Sequence, residues 1–180
     1  MGNTNKFRSF FKSEAFSWIS LIFFALALAL VLRTFVFRPV YVEGTSMNST
    51  LVQGDLLFLN KFQYYFTPPK RNDIVVIDYQ VYTKNSLIKR IIGLPGETVS
   101  FKGGRVYING VVLDEPEIAA ATNPGPEGTE FVLGPTDYFV MGDNRLASYD
   151  SRYFGQIERS KILGLTTFRF WPLNKIGTVK

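Results

Sequence analysis

The chain has 180 residues, 46% of them apolar, a formal charge of +5, and neither histidine nor cysteine. That length and composition suit one membrane segment and one compact domain of ordinary size, and exclude a disordered tail. The two missing residue types exclude a Ser/His/Asp triad, a thiolate nucleophile, disulfides and Cys/His zinc sites. Only carboxylates remain for a metal, and no group of acids has the spacing to hold one. The basic residues are scattered, which fits anionic lipid headgroups better than nucleic acid.

Residues 1–14 are polar, with Lys6, Arg8 and Lys12 against the single acid Glu14, whereas Ala15–Leu32 carries no charge. As a helix that run is about 27 Å long, close to the roughly 30 Å hydrocarbon core of a bilayer. With Arg33 snorkelling, the apolar character extends through Phe37, and Trp18 suits an interfacial belt. Residues 15–37 are therefore predicted to be a single transmembrane anchor, with residues 1–14 cytoplasmic and the rest external. A cleaved signal peptide fits less well, because the small-x-small sites at Ala25-Leu26-Ala27 and Ala27-Leu28-Ala29 lie inside the run. A buried core helix also fits less well, because the run is apolar all round instead of striped.

From Val40 the pattern changes to short β-type runs with turn punctuation, predicting a mainly β domain. Gln53-Gly54-Asp55 is a turn into Leu56–Leu59, Thr67–Asn72 is a loop, and Asp73–Tyr79 is a strand. Arg105–Leu113 predicts a hairpin, since Asn109-Gly110 accepts the positive φ values of a type I′ turn. Asp114–Thr129, rich in Pro, Gly, Glu and Ala, is expected to be a surface loop. It is followed by strands at Phe131–Leu133 and Asp137–Met141, the polar turn Gly142-Asp143-Asn144-Arg145, and an aromatic strand, Phe168–Trp171, closed by Pro172.

Without histidine, a serine needs another base, and the candidates are a lysine or a carboxylate. Lysine serves only when neutral, which requires burial among apolar groups. In Leu87-Ile88-Lys89-Arg90-Ile91-Ile92, strand alternation puts Lys89 on one face with Leu87 and Ile91, and Arg90 on the other with Ile88 and Ile92. The pattern leaves open which face is solvated, so Lys89 could equally be an ordinary surface lysine. Taken singly, Ser46 reads as a turn residue, Asn48-Ser49-Thr50 as an accidental sequon, and Gly142–Arg152 as a hydrogen-bonded turn with an ion pair.

Taken together, three blocks resemble the bacterial type I signal peptidases, membrane-bound serine/lysine endopeptidases that remove signal peptides from exported proteins. They are Gly44-Thr45-Ser46-Met47-Asn48-Ser49-Thr50-Leu51, the run from Lys89 to Glu97, and Gly142-Asp143-Asn144-Arg145 continuing through Ser148, Asp150, Ser151 and Arg152. The resemblance implies Ser46 as nucleophile, Lys89 as general base and Ser148 as the hydroxyl that orients the lysine. It further implies that Asp143, Arg90, Asp150 and Arg152 hold the site by ion pairing, and that Met47 and Ile88 line the substrate pocket. The implied fold is an antiparallel β catalytic domain, residues 38–98 and 136–180, interrupted by a small β-hairpin insertion at 99–135. The implied partners are preprotein signal peptides and the lipid bilayer, with no nucleic acid and no cofactor, and the implied location is the bacterial cytoplasmic membrane.

Two positions depart from the commonest pattern of that family. Ser49 stands where proline is usual, which would free the backbone of the nucleophile turn. Gly44 stands where some members place a serine hydroxyl, leaving backbone amides, including that of Ser46, to face an oxyanion. Two other readings remain: a non-catalytic anchored β subunit of an export machinery, and a self-cleaving regulator with the same Ser/Lys chemistry.

Overall fold

The computed structural model describes residues 4–31, 37–79, 86–115, 118 and 125–179. The chain divides into two compact units, Met1–Phe37 and Arg38–Lys180. In the first, helix α1 spans Thr4–Val31, beginning well before the uncharged run. Large apolar side chains stand exposed along it from Phe16 to Leu30, with Phe23 and Phe24 in edge-to-face contact. Among the described residues, no helix is long and apolar enough to cross a membrane. Residues 32–36 of the expected anchor lie outside those described.

The second unit is mainly β, and its registered strand pairs are antiparallel. Its strands in chain order are β1 (Phe37–Tyr41), β2 (Leu56–Asn60), β3 (Ile74–Ile77), β4 (Leu87–Gly93), β5 (Thr98–Lys102), β6 (Arg105–Ile108), β7 (Val111–Val112), β8 (Glu130–Val132), β9 (Asp137–Met141), β10 (Ile157–Glu158), β11 (Ile162–Trp171) and β12 (Gly177–Thr178). The larger sheet runs β1-β2-β11-β3-β4-β9-β10, with β12 paired to β11. The smaller sheet, β7-β6-β5-β8, is drawn entirely from residues between Thr98 and Val132. Two one-turn helices that the β-type pattern did not predict, α2 (Gln63–Phe66) and α3 (Ser151–Phe154), punctuate the connections.

The predicted hairpin is present: β6 and β7 pair across Asn109 and Gly110, whose φ values of 51° and 79° are those of a type I′ turn. The strand expected at Asp73–Tyr79 is shorter, Ile74–Ile77, and every residue in it is buried. Alternate residues of β3 enter different clusters, Ile74 and Val76 with Met47 and Leu51, Val75 and Ile77 with Ile91 and Val140.

Strand β4 is buried in the same two-sided way. Ile88 packs with Met47, Leu51 and Leu57, Ile92 with Val99, Phe139 and Met141, and Leu87 and Ile91 with Val75 and Val140. Full burial of one such aliphatic side chain stabilises the fold by about 1.5–3 kcal/mol. Sequence alternation assumed one dry and one wet face; here neither is wet, because β4 lies between β3 and β9 and is covered on both sides. Lys89 and Arg90 are consequently both buried, 2% and 3% exposed.

Candidate active site

The segment between β1 and β2 folds as a chain of turns, in which Asn48 N donates to Thr45 O at 3.0 Å and Leu51 N to Met47 O at 2.8 Å. Met47 and Leu51 are buried and pull this segment onto the sheet, leaving Ser46 half-buried at its crest. Within it, Ser49 has φ 100°. Proline holds φ near −65° and cannot adopt that conformation. A residue other than proline is therefore a requirement of this turn, and the freed backbone expected from the lost proline is replaced by a defined left-handed residue. Gly44, at φ 80°, is exposed with open space around it, which suits glycine better than a residue bearing a hydroxyl.

Lys89 Nζ donates to Ser148 Oγ at 3.0 Å, the one hydrogen bond of this amine among the described residues. A direct Ser46–Lys89 bond is not among them, and in unliganded sites such bonds commonly tighten only with substrate. The two serines nevertheless meet at Gly142. A methyl group there would lie 2.3 Å from Ser148 Oγ and 2.4 Å from the Ser46 carbonyl oxygen, so only glycine leaves room for both.

Burial among Leu87, Ile91 and their neighbours pulls the Lys89 amine down to about 8, because the ammonium form loses its hydration. Asp150 acts against this, and Arg152 acts with it. Asp150 cannot serve Lys89 as a dedicated counter-ion because it is already engaged. Arg152 Nε and Nη2 grip its two oxygens at 2.8 Å each, and Gly142 N donates to Oδ2 at 3.0 Å. On the opposite face of β4, Arg90 grips Asp143 in the same two-pronged way, at 2.8 and 2.7 Å. Both pairs are buried and self-neutralising, so they fix the Gly142–Arg152 segment without supplying net negative charge to the amine.

Three residues that reading the sequence did not single out complete the arrangement. Asn144 holds the nucleophile turn twice, through its amide to Ser46 O at 3.0 Å and its side chain to Thr45 O at 3.1 Å. Thr50 Oγ1 donates to Asp143 Oδ2 at 2.5 Å. Gly142 is the third. All lie inside the three motif blocks, but their partners are far along the chain, which no local pattern reveals.

Met47 and Ile88 line a cavity of 510 Å³, together with Val40, Tyr41, Val42, Glu43, Gly44, Ser46, Ser86 and Leu87. The cavity is bounded by the end of β1 and the start of β4, and Ser46 lies on its wall. The structure thus brings Ser46, Met47, Gly44, Ile88, Lys89, Arg90, Asp143, Ser148, Asp150 and Arg152 into one continuous region.

Fold and site together have the make-up of a histidine-free serine hydrolase on an antiparallel β framework. The profile of the family described as signal peptidase, peptidase S26, matches residues 15–171. The chain is 43% identical over 169 residues to signal peptidase I of Leptolyngbya laminosa, covering 88% of this chain and 81% of that one. It is 41% identical over 184 residues to signal peptidase I of Bacillus licheniformis, covering 97% and 95%. A crystal structure of a signal peptidase I from Enterococcus faecalis V583 aligns with a TM-score of 0.44 and 33% identity, covering 55% of this chain and 97% of that one. The chain belongs to the signal peptidase, peptidase S26 family.

Proposed function

We propose that the protein cleaves signal peptides from exported preproteins through a Ser46–Lys89 dyad. The observation that carries this reading is a lysine 2% exposed whose amine, held at about 8, is bonded to Ser148, the residue that shares the Gly142 surface with the Ser46 carbonyl. An extended preprotein segment lies in the cavity between the end of β1 and the start of β4, where Met47 and Ile88 offer shallow apolar contacts to small side chains. Neutral Lys89 takes the Ser46 proton as Oγ attacks the scissile carbonyl, and backbone amides, including that of Ser46, face the oxyanion. Lys89 returns the proton to the leaving amine, then activates the water that releases the acyl group. Ser148 orients the amine, while Arg90–Asp143 and Asp150–Arg152 hold the frame.

In this reading residues 15–37 anchor the chain in the bacterial cytoplasmic membrane, with residues 1–14 cytoplasmic and the catalytic part outside. Support comes from the uncharged run Ala15–Leu32 and from the apolar side chains left exposed along α1. Sharing the plane of the bilayer raises the effective concentration of substrates that are anchored there too. Residues 99–135 form the insertion between the two catalytic segments, 38–98 and 136–180. The rival non-catalytic subunit calls for an ordinary surface lysine, which the burial of Lys89 disfavours.

The test is incubation of the detergent-solubilised chain with a preprotein and mapping of the cut. Cleavage at the signal-peptide boundary is expected for the native chain, and none for Ser46→Ala or Lys89→Ala. Full activity in either variant sinks the assignment.

A further inference from the structure

Arg145, the last residue of the turn that carries Gly142, Asp143 and Asn144, is not used by the mechanism above, yet its side chain is 4% exposed. Its Nε donates to Gly142 O at 3.1 Å, and its two terminal nitrogens both donate to the carboxylate of Glu115, Nη1 to Oε2 at 3.0 Å and Nη2 to Oε1. Glu115 belongs to no element of the larger sheet. It follows β7, three residues past that strand's last residue, Val112. The chain reaches Arg145 from there because Leu113 N bonds Val106 O at 2.8 Å and the Leu113 side chain packs on the cluster that contains Met141, the residue before Gly142.

Gly142 is therefore held at both ends of its peptide units, its amide by Asp150 and its carbonyl by Arg145. It is also the residue against whose Cβ face both Ser148 Oγ and the Ser46 carbonyl oxygen are packed. A buried guanidinium stripped of its carboxylate is an uncompensated charge in a dry setting, a state costly enough to favour its moving out toward water. Without Glu115, Arg145 would leave the Gly142 carbonyl, and the packing of Ser148 Oγ and the Ser46 carbonyl against Gly142 would loosen.

We propose that Glu115 is a positioning residue for catalysis, a latch from the segment after β7 that fixes Arg145 and, through the Gly142 carbonyl, the relative placement of Ser148 and Ser46. This rests on the Ser46–Lys89 reading. It adds that the residues after β7 set the turnover of a site to which they contribute no reacting group.

The test compares Glu115→Gln, Arg145→Gln and the double variant as full chains in detergent, with kcat and KM for a preprotein measured from pH 6 to 10. Each single change is expected to lower kcat on the order of 10- to 100-fold and leave KM within about twofold. The rising limb of the pH profile is expected to move upward, as water reaches Lys89 and its amine drifts toward the ordinary value. The double variant is expected to be no worse than the worse single, since the pair acts as one device. Unchanged kcat, losses that multiply in the double variant, or a fall that follows only the folded fraction with an unmoved pH limb would each overturn the proposal. If Glu115→Gln does not fold, Glu115→Asp replaces it, and an unmoved kcat and pH limb in that variant overturn the proposal equally. Failure of the underlying reading looks different: the Ser46→Ala variant, run alongside, would still cleave.

Discussion

Replacing Lys89 by methionine keeps the length and apolar stem of the side chain and deletes the amine. In the folded chain that amine titrates near 8 where an unfolded lysine titrates near 10.5. At about 1.4 kcal/mol per unit, holding the ammonium in this dry setting costs the fold on the order of 3 kcal/mol at neutral pH. The sign follows from proton counting. Between about 8 and 10.5 the unfolded chain binds more protons at this site than the folded one, so stability contributed by this group rises with pH across that window. The cost is therefore full below about 8 and gone above about 10.5. Lys89→Met escapes it but leaves Ser148 without its donor, a loss of about 1 kcal/mol. The variant should thus be about 2 kcal/mol more stable than the native chain at pH 7, while inactive. About 2 kcal/mol of that gap should disappear between pH 7 and pH 9.5. Urea unfolding of both proteins in the same detergent, followed by tryptophan fluorescence at the two pH values, measures the gap directly. A variant no more stable than the native chain at pH 7, or a gap that stays constant to pH 9.5, refutes the idea that burial of Lys89 is what keeps it ready as a base.

The same amine predicts that kcat/KM climbs with pH and levels off above about 8, because only the neutral form accepts the Ser46 proton; a profile flat from pH 6 to 9 contradicts it. Gly142→Ala places a methyl 2.3 Å from Ser148 Oγ and 2.4 Å from Ser46 O, and should lower kcat about 100-fold with little change in KM, as steady-state kinetics on a preprotein would reveal. Ser49→Gly relieves a non-glycine residue at φ 100° and should raise stability by about 1 kcal/mol. Ser49→Pro should destabilise the fold and depress activity, despite restoring the commoner residue; a thermal melt in which Ser49→Pro matches or exceeds the native chain would show that the turn is not held as described.

Much of this protein was legible before any fold was known. The missing histidine and cysteine are facts of composition, and they reduce the possible bases for a serine to a lysine or a carboxylate. The period-two runs gave the β character, and Asn109-Gly110 fixed a hairpin, because both signals act between residues a few positions apart. The order of the three blocks identified the family. What the larger sheet decided is how those blocks meet. Whether Lys89 or Arg90 faced water could not be read from alternation, since the answer, neither, depends on β3 and β9 flanking β4 and on core packed against both of its faces. The clamps on the nucleophile turn join Thr50 to Asp143 and Thr45 to Asn144, residues 93 and 99 positions apart. The Glu115–Arg145 latch spans 30 positions and joins the segment after β7 to the turn after β9. Ser49 looked like a lost brace until its backbone angle showed a turn that proline could not make. Sequence alone determined which chemical groups this chain owns and how its strands alternate; tertiary structure decided which of those groups are dry, because desolvation and long-range hydrogen bonding depend on what folds over a residue, not on what precedes it.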